Sequence, residues 1–294
     1  MSGNIIHRSL VIFLSLLSFS AFAQVDTRGK TGSSTDTTNR LLIRRDTGKH
    51  KMLIIPFETK MCMSEIGKEV HAKTNLSFDA ITAEFRNQLD LAMYAAFKNS
   101  YAAVSVLQNT HKSDTTLDYI YSSIGYQYDI VPGSTPDAAG QAEHDKSQKN
   151  HFINNGQLQV PVDYSNRFMN ASINNPNLLS DLAKKFSTNT YVFINELDIK
   201  SVANTTTDNL SEEMYRRQVI VHYSIIDKDG KYVSKGIATT YFPQNENEPK
   251  IIGEKYFSVI AHTILKDYIQ AVAAAQAEQQ KKQQQSKTKS TSQR

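Results

Sequence analysis

The sequence has a single cysteine, Cys62, and no tryptophan among its 294 residues. One thiol cannot form an internal disulfide, so a packed core has to hold the fold together. The lack of tryptophan argues against a carbohydrate-binding module, because such modules usually stack sugars on exposed indole rings.

Motifs that mark common nucleotide-binding proteins and enzymes are also missing. The sequence contains no Gly-x-Gly-x-x-Gly or Gly-x-x-x-x-Gly-Lys-Ser/Thr phosphate cradle, no Gly-x-Ser-x-Gly nucleophile turn and no His-Glu-x-x-His helix. We therefore predict no cofactor, and a non-catalytic protein is favoured over an enzyme.

A long apolar run occurs only at the start of the chain. The weakly basic stretch from Asn4 to Arg8 precedes an apolar run from Leu10 to Phe19 that is interrupted only by serines. Ala21-Phe22-Ala23 then places small residues at the two positions that a signal peptidase reads. This pattern predicts a signal peptide over residues 1–23 and an exported protein that is periplasmic or envelope-associated, with an extracellular location as the alternative. No later run approaches the ~20 residues of a membrane-spanning helix.

Basic charge is concentrated at the end of the chain. The net charge is +4, and the segment from Glu278 onward holds five basic residues: Lys281, Lys282, Lys287, Lys289 and Arg294. The excess charge therefore belongs to this tail and predicts no nucleic-acid-binding face. Residues 273–294 are predicted to be a fraying helix followed by a disordered Gln/Lys tail. A solubilising role for the tail is favoured over weak contact with an anionic surface.

Hydrophobic periodicity predicts one α/β or α+β domain over residues 51–272, with a single mixed sheet of about five strands and helices packed on it. Apolar or alternating runs predict strands at 52–57, 102–107, 191–199, 217–227 and 232–242. Apolar residues spaced by three and four predict helices at 77–98, 117–128, 177–187 and 256–272. Residues 24–50 are predicted to be a flexible leader, and residues 108–176 an irregular insertion.

Three sulfur-containing side chains, Met61, Cys62 and Met63, follow the first predicted strand. Soft sulfur ligands suit Cu(I), with His71 as a fourth ligand. However, adjacent residues of an extended segment point to opposite sides, so the sulfurs would not converge without a sharp bend. Core packing by these residues is therefore favoured over a metal site.

Two carboxylates and a histidine form the candidate catalytic group. Glu196 and Asp198 lie two residues apart on a predicted strand and so share one face, while His222 lies on the next predicted strand. Such a group could perform acid–base chemistry in a hydrolase. A solvated strand face and a structural histidine explain the same residues and are favoured.

Tyrosines are dense at the start of the irregular insertion, at Tyr119, Tyr121, Tyr126 and Tyr128. They are explained either as a partner-binding surface, together with the polar stretch 132–156, or as core packing. The sequence leaves both open.

Two patterns resemble known exported proteins. The segment Lys51-Met52-Leu53-Ile54-Ile55-Pro56-Phe57, with the helix that carries Phe85 and Leu89, resembles the opening of envelope domains related to CsgG and the TolB N-terminal domain. The segment Leu182–Phe186 leading into Tyr191–Leu197 resembles their helix that ends before a strand beside the first. Met61–Ile66 followed by Ala83–Asp90 is similar to uncharacterised exported proteins of Bacteroidota.

These resemblances imply an envelope compartment and no particular activity. The chain has no propeller repeats of the TolB type and no cysteine at the predicted cleavage point, where CsgG lipoproteins carry their lipid anchor. The favoured hypothesis is a non-catalytic envelope protein that binds a partner protein, in outer-membrane assembly or transport. The competing hypotheses are an exported hydrolase and a protein tethered by its basic tail.

Overall fold

The structure is a computed structural model, and it describes residues 46–109, 114–130, 153–154, 157–158, 167–203 and 215–291. The strands of this part are β1 (Asp46–Ile55), β2 (Cys62–Ser64), β3 (Tyr101–Ser105), β4 (Ile124–Ile130), β5 (Ile153–Asn154), β6 (Gln157–Leu158), β7 (Arg167–Ile173), β8 (Thr190–Ala203), β9 (Tyr215–Asp227) and β10 (Tyr232–Pro243). The helices are α1 (Gly67–Thr74), α2 (Phe78–Lys98), α3 (Val106–Asn109), α4 (Thr116–Ser123), α5 (Leu178–Phe186), α6 (Pro249–Ile252) and α7 (Ser258–Thr291).

Six strands form the main sheet, in the order β10-β9-β8-β1-β3 with β2 paired to β8. β1 is parallel to both β3 and β8, whereas β8, β9 and β10 are antiparallel. β1 ends at Ile55, before Pro56, which has no N–H for the ladder. Pairing with β8 resumes at Cys62, opposite Leu197. The predicted mixed α/β fold is therefore confirmed.

The two faces of the main sheet carry different layers. Alternate residues of β8, including Val192, Ile194 and Leu197, join the core beneath α2 and α7. Tyr191 and Phe193 point the other way, into the core formed with α4, α5 and the antiparallel pair β4–β7. Because both faces of its central strands are covered, β1 is a continuous apolar run rather than an alternating one.

Several predicted elements are confirmed where periodicity was strong. α2 begins after Ser77, whose Oγ accepts a hydrogen bond from the backbone N–H of Ala80, as an N-cap should. The β9–β10 hairpin turns at Asp227–Gly230 as predicted. α7 runs to Thr291, beyond the predicted boundary at 272. No helix in the described ranges is long and apolar enough to cross a membrane.

The predicted helix over 117–128 is wrong in its second half. α4 ends at Ser123, and the chain continues as β4, which pairs along its length with β7 from Ile124 opposite Ile173 onward. Gly125 and the alternating Tyr126 and Tyr128 suit a strand, and the partner strand outweighs the weak helical pattern. The insertion 108–176 thus contains ordered elements. The predicted signal peptide, most of the leader and most of 132–156 lie outside the described residues.

The predicted third-strand boundary also shifts, because β3 ends at Ser105 rather than at Leu107. The Ser105 hydroxyl accepts from the backbone N–H of Gln108 and caps the short helix α3. The same hydroxyl donates to the buried carboxylate of Asp90 on α2 (2.7 Å). The strand therefore ends two residues earlier than predicted, at a residue that caps the following helix.

Gly253 tests the packing of the segment before α7 against α2. A Cβ at this position would lie 2.4 Å from Cβ of Gln88, a distance that real side chains do not reach. We expect Gly253→Ala to lower the free energy of unfolding by about 1–3 kcal/mol in urea denaturation. Gly67→Ala is the control, because its Cβ would meet only the ring of the exposed Phe78 at 3.2 Å. Equal effects of the two substitutions would contradict the close approach at Gly253.

Candidate functional site

A β-bulge in β8 brings together the polar residues of the site. Ile194 pairs with Tyr223 and Glu196 with His222, so Asn195 is the extra residue. Strict alternation would send Asn195 and Glu196 to opposite faces. The bulge lets both side chains reach the β4–β7 side, where Asn195 bonds to β7 and Glu196 to β4.

The edge of β7 that faces away from β4 is hydrogen-bonded by side chains of the main sheet. The backbone N–H of Met169 donates to Nδ1 of His222 (2.7 Å), and its carbonyl accepts from Nδ2 of Asn195 (2.9 Å). The N–H of Ala171 donates to Ser224 Oγ (3.2 Å), and its carbonyl accepts from the Tyr232 hydroxyl (2.8 Å). We call these four side chains (Asn195, His222, Ser224 and Tyr232) the β7 caps.

Ser224 is the centre of this network. Its Oγ accepts from Nδ2 of Asn195 (2.8 Å) and donates to Oδ1 of Asn170 (2.6 Å). Asn170 in turn donates to Asp129 of β4 (3.0 Å), which also pairs with Lys235 of β10 (2.8 Å). The network therefore ties β4, β7, β8, β9 and β10 together through the buried Asn170, Asn195 and Ser224 and the half-buried Asp129 and Lys235.

The candidate catalytic residues Glu196, Asp198 and His222 lie side by side in the structure. Nδ1 of His222 is 3.8 Å from Oε2 of Glu196, and Oδ2 of Asp198 is 2.9 Å from Nζ of Lys200. The three residues are 3–6 % exposed, so they are not on a solvated strand face. Burial, and after it the neighbouring Asp198 carboxylate, raise the pKa of Glu196.

The protonation state of His222 follows from its hydrogen bond. Nδ1 accepts the Met169 N–H and so carries no proton, which places the proton of the neutral ring on Nε2. Burial lowers the pKa of His222 to about 4, in agreement with this bond. At neutral pH the ring is an uncharged cap of β7, and its Nδ1 is already occupied.

The four tyrosines do not form one exposed surface. The Tyr119 hydroxyl donates to Asp181 of α5 (2.9 Å), and the Tyr121 hydroxyl donates to the carbonyl of Pro56 (2.8 Å). Tyr119, Tyr121 and Tyr126 pack against the core on the β4–β7 side. Tyr128 is 36 % exposed, and its hydroxyl donates to Glu196 (3.0 Å).

The candidate metal ligands are not brought together. Cys62 packs towards α2, where burial raises the pKa of its thiol to about 11. Met63 pairs with Asp198 on the opposite face and is exposed, in line with the alternation of a strand. Nδ1 of His71 contacts the backbone carbonyl of Leu76 (2.7 Å). Across the part of the chain that the structure describes, no three His, Cys, Asp or Glu side chains are arranged to hold a metal ion.

Arg86 makes a contact that sequence reasoning missed. Its Nε donates to the carbonyl of Phe57 (2.8 Å) and its Nη2 to the Tyr121 hydroxyl (2.6 Å). The end of β1 is thereby fixed to α2 on one face and to α4 on the other. Asn195, Ser224 and Arg86 were all missed; for Asn195 the available signal was a polar pair within the apolar run 191–199.

Ser224 gives a direct test of the β7 caps. Ser224→Ala leaves the buried polar groups of Asn170, Ala171 and Asn195 short of one partner each, so we expect a loss of about 1–3 kcal/mol in the free energy of unfolding. Urea denaturation measures it. Ser122→Ala, which removes an exposed hydroxyl bonded to the Tyr119 carbonyl, should change stability by less than about 0.5 kcal/mol. If both variants matched wild type, the network would not stabilise the fold.

Comparison with known proteins gives little beyond this geometry. No protein-family model and no curated protein matches the chain. Among solved structures, it is similar to the hypothetical protein CT253 from Chlamydia trachomatis, with 12% identity over 78% of this chain and 96% of that one and a TM-score of 0.28. It is also similar to lipoprotein GNA1162 from Neisseria meningitidis, with 12% identity over 74% of this chain and 99% of that one and a TM-score of 0.26. At these TM-scores, neither likeness carries an argument.

Proposed function

We propose that this protein is an exported, non-catalytic protein of the cell envelope that acts by binding a partner protein. The signal-peptide pattern of residues 1–23 supports export. The observation that carries the binding role is a group of apolar side chains, most of them exposed, on the main sheet. They lie on the same face as the β7 caps but further along the strands.

This group is defined by sheet register. Met63 of β2 is paired with Asp198, and Asp198 with Ile220, so the three side chains point to the same face. Tyr241 of β10 is paired with Gln218, two residues before Ile220 on that face. We call Met63, Ile220 and Tyr241 the sheet patch; Met63 is 56 % and Tyr241 49 % exposed, and Ile220 is half-buried.

β4 extends the sheet patch with two further apolar side chains. The Tyr128 hydroxyl reaches Glu196, two residues before Asp198 on the same face of β8. Ile130 follows two residues later on the same side of β4, and Tyr128 and Ile130 are 36 % and 38 % exposed. Methionine and tyrosine are enriched in protein interfaces, and clustered exposed apolar groups mark interaction sites. A partner protein with an apolar surface is therefore the ligand that this face would take.

The sheet patch is tested by substitution. An affinity tag placed between residues 24 and 45 allows capture of the protein with its partner from crosslinked envelopes of the native host. We expect Met63→Glu and Tyr241→Glu to reduce the recovered partner by roughly tenfold or more, because each charge would be buried in the interface. Quantitative mass spectrometry of the captured proteins measures this.

Val259→Glu is the matched control, because Val259 is 47 % exposed on α7, away from the sheet patch. It should leave the captured partner at the wild-type level. Partner recovery at the wild-type level for all three substitutions would contradict binding at the sheet patch. A partner lost in all three would point to a general loss of folding, which urea denaturation of the purified variants would reveal.

An exported hydrolase is the second candidate function, and one observation favours it: Glu196, Asp198 and His222 are neighbours. Its test is a screen of the purified protein against ester, glycoside and peptide substrates. For a hydrolase, Glu196→Gln would lower kcat by about 10²-fold or more, because a catalytic acid–base group contributes at least that factor. No turnover, or turnover unchanged by Glu196→Gln, would reject this function.

The family assignment belongs to the same proposal. The resemblance of Lys51–Phe57 and Leu182–Leu197 to envelope domains related to CsgG and the TolB N-terminal domain agrees with an envelope role, as does the similarity to exported Bacteroidota proteins. The proposal assigns the protein a binding role within such a system and no pore-forming role.

A further inference from the structure

The layer of β4 and β7 is fastened to the main sheet at two points, each of which has a titratable side chain as the hydrogen-bond acceptor. At the first, the Met169 N–H donates to Nδ1 of His222 (2.7 Å). At the second, the Tyr128 hydroxyl donates to the carboxyl oxygens of Glu196 (3.0 and 3.2 Å). Both acceptor side chains are almost fully buried, so water has little access to replace a lost bond.

The first point requires an unprotonated His222. Nδ1 accepts the Met169 N–H only while it carries no proton. A proton there would place two donors 2.7 Å apart, and β7 would have to move away from β9. Burial, supported by Lys200 and opposed by Asp198, lowers the pKa of His222 to about 4. The bond is therefore intact at neutral pH and is lost in acid.

The second point buries two neighbouring carboxyl groups of β8, those of Glu196 and Asp198. Oδ2 of Asp198 accepts from Lys200, whereas Oδ1 is buried and has no hydrogen-bond donor among the described residues. Burial and the neighbouring Asp198 carboxyl raise the pKa of Glu196, whereas the hydrogen bond from Tyr128 opposes this shift because it favours the carboxylate. When Glu196 loses its proton, a charge is buried beside the Asp198 carboxyl, and moving β4 away would let water solvate that charge.

We propose that His222, Glu196 and Asp198 form a proton-operated latch that holds β4 and β7 on the main sheet. The latch is closed while His222 is neutral and the two carboxyl groups share one proton. It loosens when His222 gains a proton or when the carboxyl pair loses its proton. Opening uncovers the polar side chains of Asn195 and Ser224. This inference goes beyond the proposed partner binding and does not depend on it.

Among the described residues, few other charges lie on the strands that form the latch. β7 carries one charged residue, Arg167, and β10 carries one, Lys235, which is paired with Asp129 of β4. On β9, Arg216 is exposed. Besides Tyr128, the groups that act on Glu196 and His222 are Asp198 and Lys200, both on β8. The latch residues and Lys200 therefore set its protonation.

The two points change stability with pH in opposite directions. The pKa of His222 is lower in the folded protein than its ordinary 6.5, so the unfolded chain binds the proton more readily and stability falls as pH drops from 6.5 to 4. The pKa of Glu196 is raised above its ordinary 4.5, so the folded protein holds the proton more tightly and stability falls as pH rises above 4.5 towards the raised value. In the pH range that both transitions share, the two effects on stability oppose each other.

Replacing the titratable side chain at one point leaves the pH dependence that comes from the other point. We expect the unfolding equilibrium constant of Glu196→Gln to rise on acidification from pH 6.5 to 4.5 by up to about tenfold per pH unit relative to wild type. His222→Asn keeps an acceptor near the position of Nδ1, and its unfolding constant should instead rise, relative to wild type, as pH increases over the same range. Urea denaturation of the full chain at several pH values measures both slopes.

Glu278→Gln and His262→Asn are matched controls, because both residues are exposed on α7. Each should keep the wild-type pH profile. Slopes of the same sign in Glu196→Gln and His222→Asn, or slopes equal to those of wild type, overturn the latch.

A local measurement on the wild-type protein covers the case in which a variant fails to fold. Carbon-13-labelled methionine methyl groups are followed by NMR from pH 4 to 8.5, with Met169 on β7 as reporter and Met93 on α2, in the other core, as internal reference. The latch requires the Met169 signal to shift or broaden in acid and again in base, while Met93 stays constant. A Met169 signal that moves no more than that of Met93 overturns the proposal.

Discussion

One edge of β7 has no neighbouring strand among the described residues, yet its backbone groups are buried against the main sheet. An unsatisfied buried N–H or C=O costs about 1–3 kcal/mol, so these groups need partners. The main sheet supplies them as side chains: Asn195, His222, Ser224 and Tyr232 bond to the N–H and C=O groups of Met169 and Ala171. This requirement explains why polar residues stand in the middle of strands whose opposite faces are largely apolar.

The bulge in β8 follows from the same requirement. A regular strand would present either Asn195 or Glu196 to β4 and β7, and the extra residue allows both. At the other end of the covered face, Arg86 and Tyr121 fix the carbonyl groups of Pro56 and Phe57 where β1 ends. The second layer is thus held by directed hydrogen bonds at both ends, with apolar packing between them.

Sequence reasoning succeeded where burial alone decides the pattern. α2, α5 and the β9–β10 hairpin follow from apolar spacing and turn residues, since each buries one face against the sheet. It failed for β4, because this segment is a strand only through its pairing with β7, which begins at Arg167, far along the chain. The roles of Asn195 and Ser224 depend on contacts across 26 to 54 residues of chain, which local periodicity does not contain. Alternation did place Glu196 and Asp198 on one face, but the burial of that face depends on β4 and β7.

The carboxyl pair differs from the β7 caps in one respect. Asn195, His222 and Ser224 satisfy backbone groups that would otherwise be costly, so the fold alone explains them. Among the described residues, the hydrogen bond that Glu196 makes to the β4–β7 layer comes from the Tyr128 hydroxyl, on a side chain that is itself 36 % exposed, and an amide could accept that bond without titrating. Burying two adjacent carboxyl groups is unfavourable unless they hold a proton. The fold therefore accounts for the neutral polar residues of this face, whereas Glu196 and Asp198 make its docking depend on pH.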